Sequence, residues 1–230
     1  MKNQLKTLHR RRLGEIWRSS GWPCHDPVEL DLLAAGLLHR VFDEAGRETL
    51  RVSDAGIAEL AATRVRHRAA LDDHEALVAR VAAEMHRAGR LVWRGLSLRA
   101  PLPDEAGGTQ WVMARPDVFS VRHTSVEDYL EPVAHEVKVR RADLLADLRR
   151  PAKAQAYLAM ASQCWYVLAP GIGRADEIPA PYGVMQADAG SLEVLRPAPR
   201  RAMRLPFHAW MALARASADA FADEDPQDGL

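Results

Sequence analysis

The most constraining feature of the sequence is an apolar run, EPVAHEVKV at residues 131–139, that carries a glutamate and a lysine two positions apart. Apolar and polar residues alternate in it with a period close to two, so Glu136 and Lys138 share one face of a strand. Val137 faces the other way, and its burial fixes the direction of the charged pair. Upstream, Asp117 opens a second apolar run, and the polar segment HTSVEDY between the two runs predicts a turn between antiparallel strands.

The pairing of these two strands would bring the carboxylates of Asp117 and Glu136 together. Two carboxylates can hold one or two hard divalent cations such as Mg²⁺ or Mn²⁺, with waters completing the coordination shell. A bound metal polarises a phosphate and lowers the pKa of a coordinated water, and the ammonium of Lys138 would stabilise charge that develops on phosphorus. The pattern therefore predicts a metal-dependent centre that cleaves phosphodiester bonds. A second interpretation stays open, because a strand with a solvated, charged face also produces an acid-x-Lys triplet.

Lysine is rare in this chain, which otherwise carries its positive charge as arginine. Of 31 basic residues, the only lysines are Lys2, Lys6, Lys138 and Lys153. A lysine ammonium is a compact point charge, whereas an arginine guanidinium is a planar fork. The choice of lysine in the triplet is therefore consistent with a catalytic cation.

Downstream of the triplet, the sequence predicts two successive helices, the second of which carries Gln155 and Tyr157. The order Pro-Asp, Glu-x-Lys and then such a helix resembles the PD-(D/E)XK nuclease superfamily. The segment HEVKVRRADLLADLRRPAKAQAYLAMASQCWYVLAPG, within residues 91–215, resembles more closely the MmcB-type bacterial DNA-repair proteins. The turn HTSVEDYLE and a long N-terminal portion are departures from that family.

The resemblance implies an α/β fold with a restriction-endonuclease-like mixed sheet flanked by helices. It also implies a metal-dependent deoxyribonuclease that acts in DNA repair, with DNA as its partner and Mg²⁺ or Mn²⁺ as its cofactor. Asp117 and Glu136 resemble the metal ligands of the family, Lys138 resembles the catalytic lysine, and Gln155 resembles the helix residue that borders the site. We expect this nuclease-like domain to cover residues 71–218.

Two positions near these residues leave alternatives open. A helix is expected from His74 to Gly89, and Glu75 in its first turn resembles an acid that the superfamily uses to help hold the metal. The alternative for Glu75 is an acid that the helix dipole favours near an N-terminus. Gln155 and Tyr157 are two residues apart and cannot face one direction on a helix, so Gln155 is taken as the site residue and Tyr157 as a core residue.

The N-terminal residues 1–70 predict helices, a β hairpin around the segment Glu-Ala-Gly, and a further helix capped by Ser53 or Asp54. This order resembles a winged-helix domain. The resemblance implies DNA binding, with a helix in the major groove and with Arg47 or Arg51 reaching phosphates. A dimerisation or packing domain with the same fold is the alternative interpretation.

Charge and composition bound the remaining predictions. The formal net charge is +0, so DNA affinity would come from local charge, and solvated arginines are the alternative for the phosphate-contacting candidates Arg140, Arg141, Arg149 and Arg150. Residues 219–230 are acidic and predict a disordered tail. The two cysteines lack metal-ligand spacing, and no membrane span or signal peptide is evident, which predicts a cytoplasmic protein.

Three interpretations remain. The first is the nuclease, for which double-strand cleavage would require a homodimer or a second cleavage event. The second is a DNA-binding or regulatory protein on a catalytically silent nuclease fold. The third is an α/β protein that binds a small molecule or a partner and carries the triplet by chance. The sequence does not distinguish single-stranded, duplex and branched DNA as substrates.

Overall fold

A computed structural model describes residues 5–104 and 107–221. The chain forms two compact units, Met1–Leu71 and Asp72–Leu230. One long helix begins in the first unit and ends in the second. The elements of the first unit, in chain order, are α1 (Thr7–Arg18), α2 (Pro27–Ala34), β1 (Leu38–Phe42), β2 (Glu48–Val52) and the start of α3 (Asp54–Arg87).

Local capping explains where the helices of the first unit begin. The carboxylate of Asp26 accepts a hydrogen bond from the Glu29 amide at 2.9 Å, and a proline opens α2 directly after it. Ser53 accepts a hydrogen bond from the Gly56 amide at 3.0 Å, which confirms it as the cap of α3. The small core of this unit comes from both helices and the hairpin, and its most buried members are Leu13, Leu32, Leu38 and Leu50.

The hairpin of the first unit forms where the sequence predicts it. Strands β1 and β2 pair antiparallel from Leu38 opposite Val52 to Phe42 opposite Glu48. The segment VELDLLAAGLLHRV at residues 28–41 favours one longer helix, but α2 ends at residue 34, and a glycine with φ of 69° follows. The winged-helix assignment of this region stays a prediction.

The second unit is built on one six-stranded sheet and a separate two-stranded ribbon. Its strands are β3 (Arg90–Arg94), β4 (Leu98–Pro103), β5 (Thr109–Ala114), β6 (Val118–Arg122), β7 (Val133–Lys138), β8 (Gln163–Leu168), β9 (Gly183–Ala187) and β10 (Leu192–Arg196). Its further helices are α4 (Arg141–Leu148), α5 (Pro151–Met160) and α6 (Phe207–Arg215), and short 3₁₀ turns lie at Glu127–Tyr129 and Ala175–Glu177.

The sheet is mixed, with the strand order β10-β9-β8-β7-β6-β3. Strands β7, β8 and β9 are parallel, whereas β10, β6 and β3 pair antiparallel with their neighbours. The predicted α/β fold with a mixed sheet flanked by helices is therefore confirmed. Its restriction-endonuclease-like assignment stays a prediction.

Both faces of the central strand β7 are covered, and all six of its residues are buried. Val137 packs on one side with residues of α3, such as Val81. The other side belongs to a core that includes Tyr157 and Met160 of α5. Burial on both faces is typical of parallel strands inside a sheet, and it takes the polar side chains of β7 out of water.

Three details of the second unit differ from the sequence prediction. The segment LVWRGLSLRA at residues 91–100 favours one strand but forms parts of two, because Gly95 with φ of 59° separates β3 from β4. The segment PLPDEAGGTQ after it is rich in proline and glycine and favours a loop, but both of its ends belong to the β4–β5 ribbon. The tail predicted to be disordered from residue 219 contacts the core at its start: the Asp219 amide donates to Val92 O at 2.8 Å, and the Phe221 ring stacks on His86. Residues 222–230 lie outside the described residues.

The helix predicted from residue 74 is the second half of α3, and Gly89 with φ of 73° follows its end, as predicted for a C-cap. In the described ranges, no helix combines the length and apolar character that crossing a membrane requires.

Candidate active site

The pairing of β6 with β7 brings the predicted acidic residues together. Val118 lies opposite His135 in this antiparallel pair, so Asp117, which precedes β6, reaches the region of Glu136. The Asp117 Oδ2 atom accepts a hydrogen bond from the Val137 amide at 2.7 Å. The backbone of β7 thus holds the aspartate in place beside the glutamate, as the strand-turn-strand pattern predicts.

Glu136 is buried and contacts three proton donors. Its Oε1 atom lies 2.5 Å from Lys138 Nζ and 2.6 Å from Lys153 Nζ. Its Oε2 atom lies 2.7 Å from the hydroxyl of Tyr157, which is equally close to the carbonyl oxygen of Arg115. The Glu-x-Lys pair therefore shares one face, as predicted, but it faces the protein interior and a second lysine joins it.

A buried aspartate that the sequence analysis did not single out completes this network. Asp147 at the end of α4 accepts a hydrogen bond from Lys153 Nζ at 2.6 Å and another from the Tyr166 hydroxyl at 2.8 Å. Lys138 Nζ lies 3.9 Å from Asp147 Oδ2, the oxygen that accepts the hydrogen bond from Tyr166. Two buried carboxylates and two ammonium groups thus form one connected cluster, which we call the lysine–carboxylate network (Glu136, Lys138, Asp147 and Lys153).

The titration of the acids differs across the site. Burial raises the pKa of Asp117, and the negative charge of Glu136 raises it further, against the opposing effects of the Val137 amide, His74 and Lys138. The opposite holds for Asp147: burial opposes ionisation, but Lys138 and Lys153 outweigh it and lower the pKa of this carboxyl. The site therefore disfavours the charged form of Asp117 and favours the charged form of Asp147.

Two of the proton donors also have shifted pKa values. Burial alone would lower the pKa of Lys153, but the carboxylates of Glu136 and Asp147 raise it above its ordinary value. Burial raises the pKa of Tyr157, and the adjacent charge of Glu136 raises it further. At neutral pH the Lys153 side chain is therefore charged and the Tyr157 phenol is neutral.

A cavity of about 420 Å³ opens beside Asp117. His74 Nε2 lies 3.5 Å from Asp117 Oδ1, and Glu75 Oε1 lies 3.5 Å from His74 Nδ1. Glu75 is exposed and adjoins the cavity without an ion pair or hydrogen bond to Asp117. The lining residues are His74, Glu75, Val78, Arg94, Gly95, Arg115, Pro116 and Asp117.

The structure separates Gln155 from this centre. Gln155 is exposed, whereas Lys153 and Tyr157 both contact Glu136. Residues four apart share one helix face, and a residue midway between them points away from that face. The contacts that the resemblance implied for Gln155 are therefore made by Lys153 and Tyr157 instead.

The predicted phosphate-contacting arginines differ in their ion pairs and in their exposure. Arg141 binds Glu177 through both guanidinium nitrogens, at 2.6 and 2.7 Å, which raises the pKa of Arg141. Arg47 is paired with Asp43 at 2.7 Å in the hairpin turn. Arg140 is half-buried, and Arg51, Arg149 and Arg150 are exposed, as are Arg47 and Arg141.

In the parts of the chain that the structure describes, no three histidine, cysteine, aspartate or glutamate side chains form a group that could hold a metal ion. Asp117 and Glu136 are thus a pair of acids rather than a complete protein cage. Mg²⁺ is commonly bound by one or two carboxylates and several waters.

Comparison with known proteins assigns no family. No protein-family model matches the chain, and no curated protein matches it. A solved structure of a protein of unknown function from Silicibacter pomeroyi is similar, with 24% identity over 59% of this chain and 82% of that chain, and with a TM-score of 0.39.

Proposed function

We propose that this protein is a metal-dependent deoxyribonuclease that hydrolyses phosphodiester bonds, with Asp117 and Glu136 as metal ligands and Lys138 as the catalytic cation. The observation that carries the proposal is the arrangement of acidic side chains where β6 and β7 meet. There, an aspartate with a raised pKa lies beside a glutamate and opens to a cavity. Arg94 and Arg115 line the same cavity; Arg94 is paired with Asp219, and Arg115 provides positive charge for a phosphate.

The residues at this point fit Mg²⁺ or Mn²⁺. Both ions accept carboxylate oxygens, and Mg²⁺ keeps several waters, for which the cavity beside Asp117 has room. The pKa of Asp117 is raised in part by Glu136, so a cation near both carboxylates would remove an existing repulsion. Glu75, at the same cavity, is the candidate for a further acid near the ion. When bound, the metal would supply polarisation of the phosphate and activation of a water.

The side chains of the chain itself have separate roles in this proposal. Lys138 presents its ammonium beside Glu136, where it would stabilise the charge that develops on phosphorus. Lys153 and Asp147 are positioning residues in this proposal, because their contacts hold Glu136 and Lys138 in place. Tyr157 fixes the second oxygen of Glu136.

A second candidate function, a catalytically silent DNA-binding protein, is favoured by one observation. The lysine–carboxylate network neutralises itself, because the ammonium groups of Lys138 and Lys153 contact the carboxylates of Glu136 and Asp147. A scaffold could retain such a network for the stability of its core. Metal binding at Asp117 separates the two candidates.

The test combines metal binding with cleavage. We would titrate Mn²⁺ into the wild-type protein by isothermal calorimetry and incubate labelled single-stranded, duplex and branched DNA with Mg²⁺ or Mn²⁺. The variants are Asp117→Asn and Lys138→Met, and Asp143→Asn, which changes an exposed acid on α4, is the matched control. We expect Asp117→Asn to lose Mn²⁺ binding and cleavage. Lys138→Met should retain Mn²⁺ binding and lose cleavage, and Asp143→Asn should behave as wild type.

Two results would contradict the nuclease proposal. Wild-type protein that binds DNA but neither binds Mn²⁺ nor cleaves any substrate would support the silent DNA-binding protein. Cleavage that is equal in wild type, Asp117→Asn and Lys138→Met would assign the activity to another site or to a contaminant.

A further inference from the structure

Another cavity of the second unit lies between the β4–β5 ribbon and helix α6. It has a volume of about 570 Å³ and is separate in its lining from the cavity at Asp117. Side chains of the ribbon alternate, so that Arg99 and Trp111 lie on its exposed face while Leu98 and Ala100 are buried. We call this cavity the ribbon groove; it is lined by Leu96, Ser97, Arg99, Trp111, Phe207, His208, Met211, Ala212, Arg215 and Ala216.

Large aromatic surfaces are open to solvent in the ribbon groove. Trp111 is 48% exposed and Phe207 is 78% exposed. The Arg99 guanidinium carbon lies 5.6 Å from the centre of the Trp111 ring, and His208 meets the same ring edge-on with centroids 5.0 Å apart. A tryptophan held between a cation and a second ring is oriented before any ligand arrives.

The charge of the ribbon groove has one sign. Among the described residues that line it, Arg99 and Arg215 are cations and none is an aspartate or glutamate. The Nε2 atom of His208 is buried and makes no hydrogen bond within the described residues. The groove therefore combines positive charge, exposed aromatic faces and an unused polar atom, and it complements a ligand that is both anionic and planar.

The ribbon groove is also continuous in sequence with the candidate active site. Gly95 lines the cavity at Asp117, and the next residue, Leu96, lines the groove. The other strand of the ribbon, β5, carries Trp111 and ends at Ala114. The next residue, Arg115, lines the cavity at Asp117. Both strands of the ribbon thus lead from the groove to the candidate active site.

We propose that the ribbon groove binds single-stranded DNA, with bases stacked on Trp111 and Phe207 and phosphates beside Arg99 and Arg215. Stacking on protein aromatics requires bases that are free of their own duplex stack, and it tolerates any base sequence. A duplex would present only its phosphates to this surface and leave the aromatic faces unused. The proposal rests on the proposed function, because it names the strand form in which the nuclease receives its substrate.

The test measures binding without cleavage. Fluorescence anisotropy of a labelled oligothymidine of about 20 nucleotides is recorded in EDTA, for the full chain and for Trp111→Ala, Phe207→Ala and Arg99→Ala. Trp210→Ala is the matched control, because Trp210 is exposed on the same helix as Phe207 but does not line the groove. A duplex of the same length provides the second ligand, and circular dichroism checks that each variant is folded.

We expect Trp111→Ala and Phe207→Ala each to weaken single-strand binding about tenfold and to leave duplex binding within about twofold of wild type. Arg99→Ala should lower the slope of log affinity against log salt by about 0.7. Trp210→Ala should match wild type. Equal affinities for wild type, Trp111→Ala and Phe207→Ala would overturn the proposal. So would a dimer in light scattering that dissociates in Trp111→Ala without any change in DNA affinity, because the groove would then bind a second copy of the chain.

Failure of this proposal is distinguishable from failure of the proposed function. Cleavage that depends on Lys138, together with single-strand binding that ignores Trp111, would refute the groove and leave the nuclease standing. Single-strand binding that depends on Trp111, with no cleavage under either metal, would support the groove and refute the nuclease.

Discussion

Replacement of Lys153 by methionine tests whether the lysine–carboxylate network stabilises the fold. The ammonium of Lys153 lies 2.6 Å from both Glu136 Oε1 and Asp147 Oδ1. Methionine keeps an unbranched chain of similar length but carries no charge. The substitution therefore leaves two buried carboxylates that share the single remaining ammonium of Lys138.

The size of the effect follows from the burial of the partners. Removal of one member of a buried ion pair typically costs about 3–5 kcal/mol, because the other charge is left buried and uncompensated. Lys153 itself is 27% exposed at its side chain, so water replaces part of the lost contact. Lys138 also remains, at 2.5 Å from Glu136 and 3.9 Å from Asp147. We therefore expect the free energy of unfolding at pH 7 to fall by about 3 kcal/mol, at the lower end of that range.

The pH dependence has a definite sign. The pKa of Asp147 is lowered in the folded protein, since the effects of Lys138 and Lys153 outweigh burial. A carboxyl with a lowered folded pKa contributes stability that is present above its unfolded pKa of about 3.9 and is lost as the pH falls through the folded pKa. The pKa of Lys153 is raised, so its contribution is complete at neutral pH and is lost only as the pH rises through the folded value. The difference between wild type and Lys153→Met should therefore be largest near neutral pH and shrink below about pH 4.

Urea unfolding followed by far-ultraviolet circular dichroism measures this difference at pH 7 and near pH 2. Lys6→Met, which removes an exposed lysine, is the matched control and should shift the unfolding free energy by less than about 0.5 kcal/mol. A loss below about 1 kcal/mol for Lys153→Met at pH 7 would show that the bridging contacts do not stabilise the fold. A loss of equal size at both pH values would refute its electrostatic origin.

Three further substitutions test other parts of the second unit. Tyr157→Phe removes the hydroxyl that contacts the buried glutamate of β7, so we expect unfolding to be easier by about 1–3 kcal/mol in urea titrations, whereas Tyr129→Phe, at an exposed ring, should change little. Gly183→Ala would place a Cβ 2.3 Å from a tryptophan ring carbon of β8 and should lower the melting temperature, whereas Gly190→Ala meets no atom within 4 Å and should not. Because the folded pKa of Asp117 is raised, its ionisation costs stability; this cost is complete above the folded pKa, shrinks as the pH falls from the folded to the unfolded value, and is absent below the unfolded pKa. Asp117→Asn should thus retain or gain stability in urea at pH 7, and the gain should vanish in acid.

The strand pattern predicted the centre of the fold because it rests on a period of two. Alternation in the run from Val133 to Lys138 set the common face of Glu136 and Lys138, and the antiparallel partner placed Asp117 beside them. The pattern does not predict whether that face is exposed to solvent or covered by other elements. A charged face next to an apolar one is typical of a half-solvated strand, whereas helices α4 and α5 cover this one.

The partners of Glu136 were missed for a related reason. Lys153 and Tyr157 are four residues apart on α5 and share the face that contacts β7, but helical spacing alone does not tell which face meets the sheet. The resemblance points to Gln155, which is exposed and does not share the face of Lys153 and Tyr157. The one signal available in the sequence was composition, since Lys153 is one of four lysines among 31 basic residues. Asp147 gave no signal, because its partners come from three separate segments.

The network also decides which substitution is informative about function. Glu136, Lys138 and Lys153 are held by mutual ion pairs, so removing any of them is expected to lower stability along with activity, and a loss of activity there has two explanations. Asp117 differs, since the protein raises its pKa and leaves its charge poorly compensated. A residue that costs stability when ionised, yet lies at a cavity that Arg115 also lines, is placed as a ligand-binding acid would be. Loss of metal binding and cleavage in Asp117→Asn without loss of stability would therefore identify chemistry rather than packing as the reason for this carboxylate.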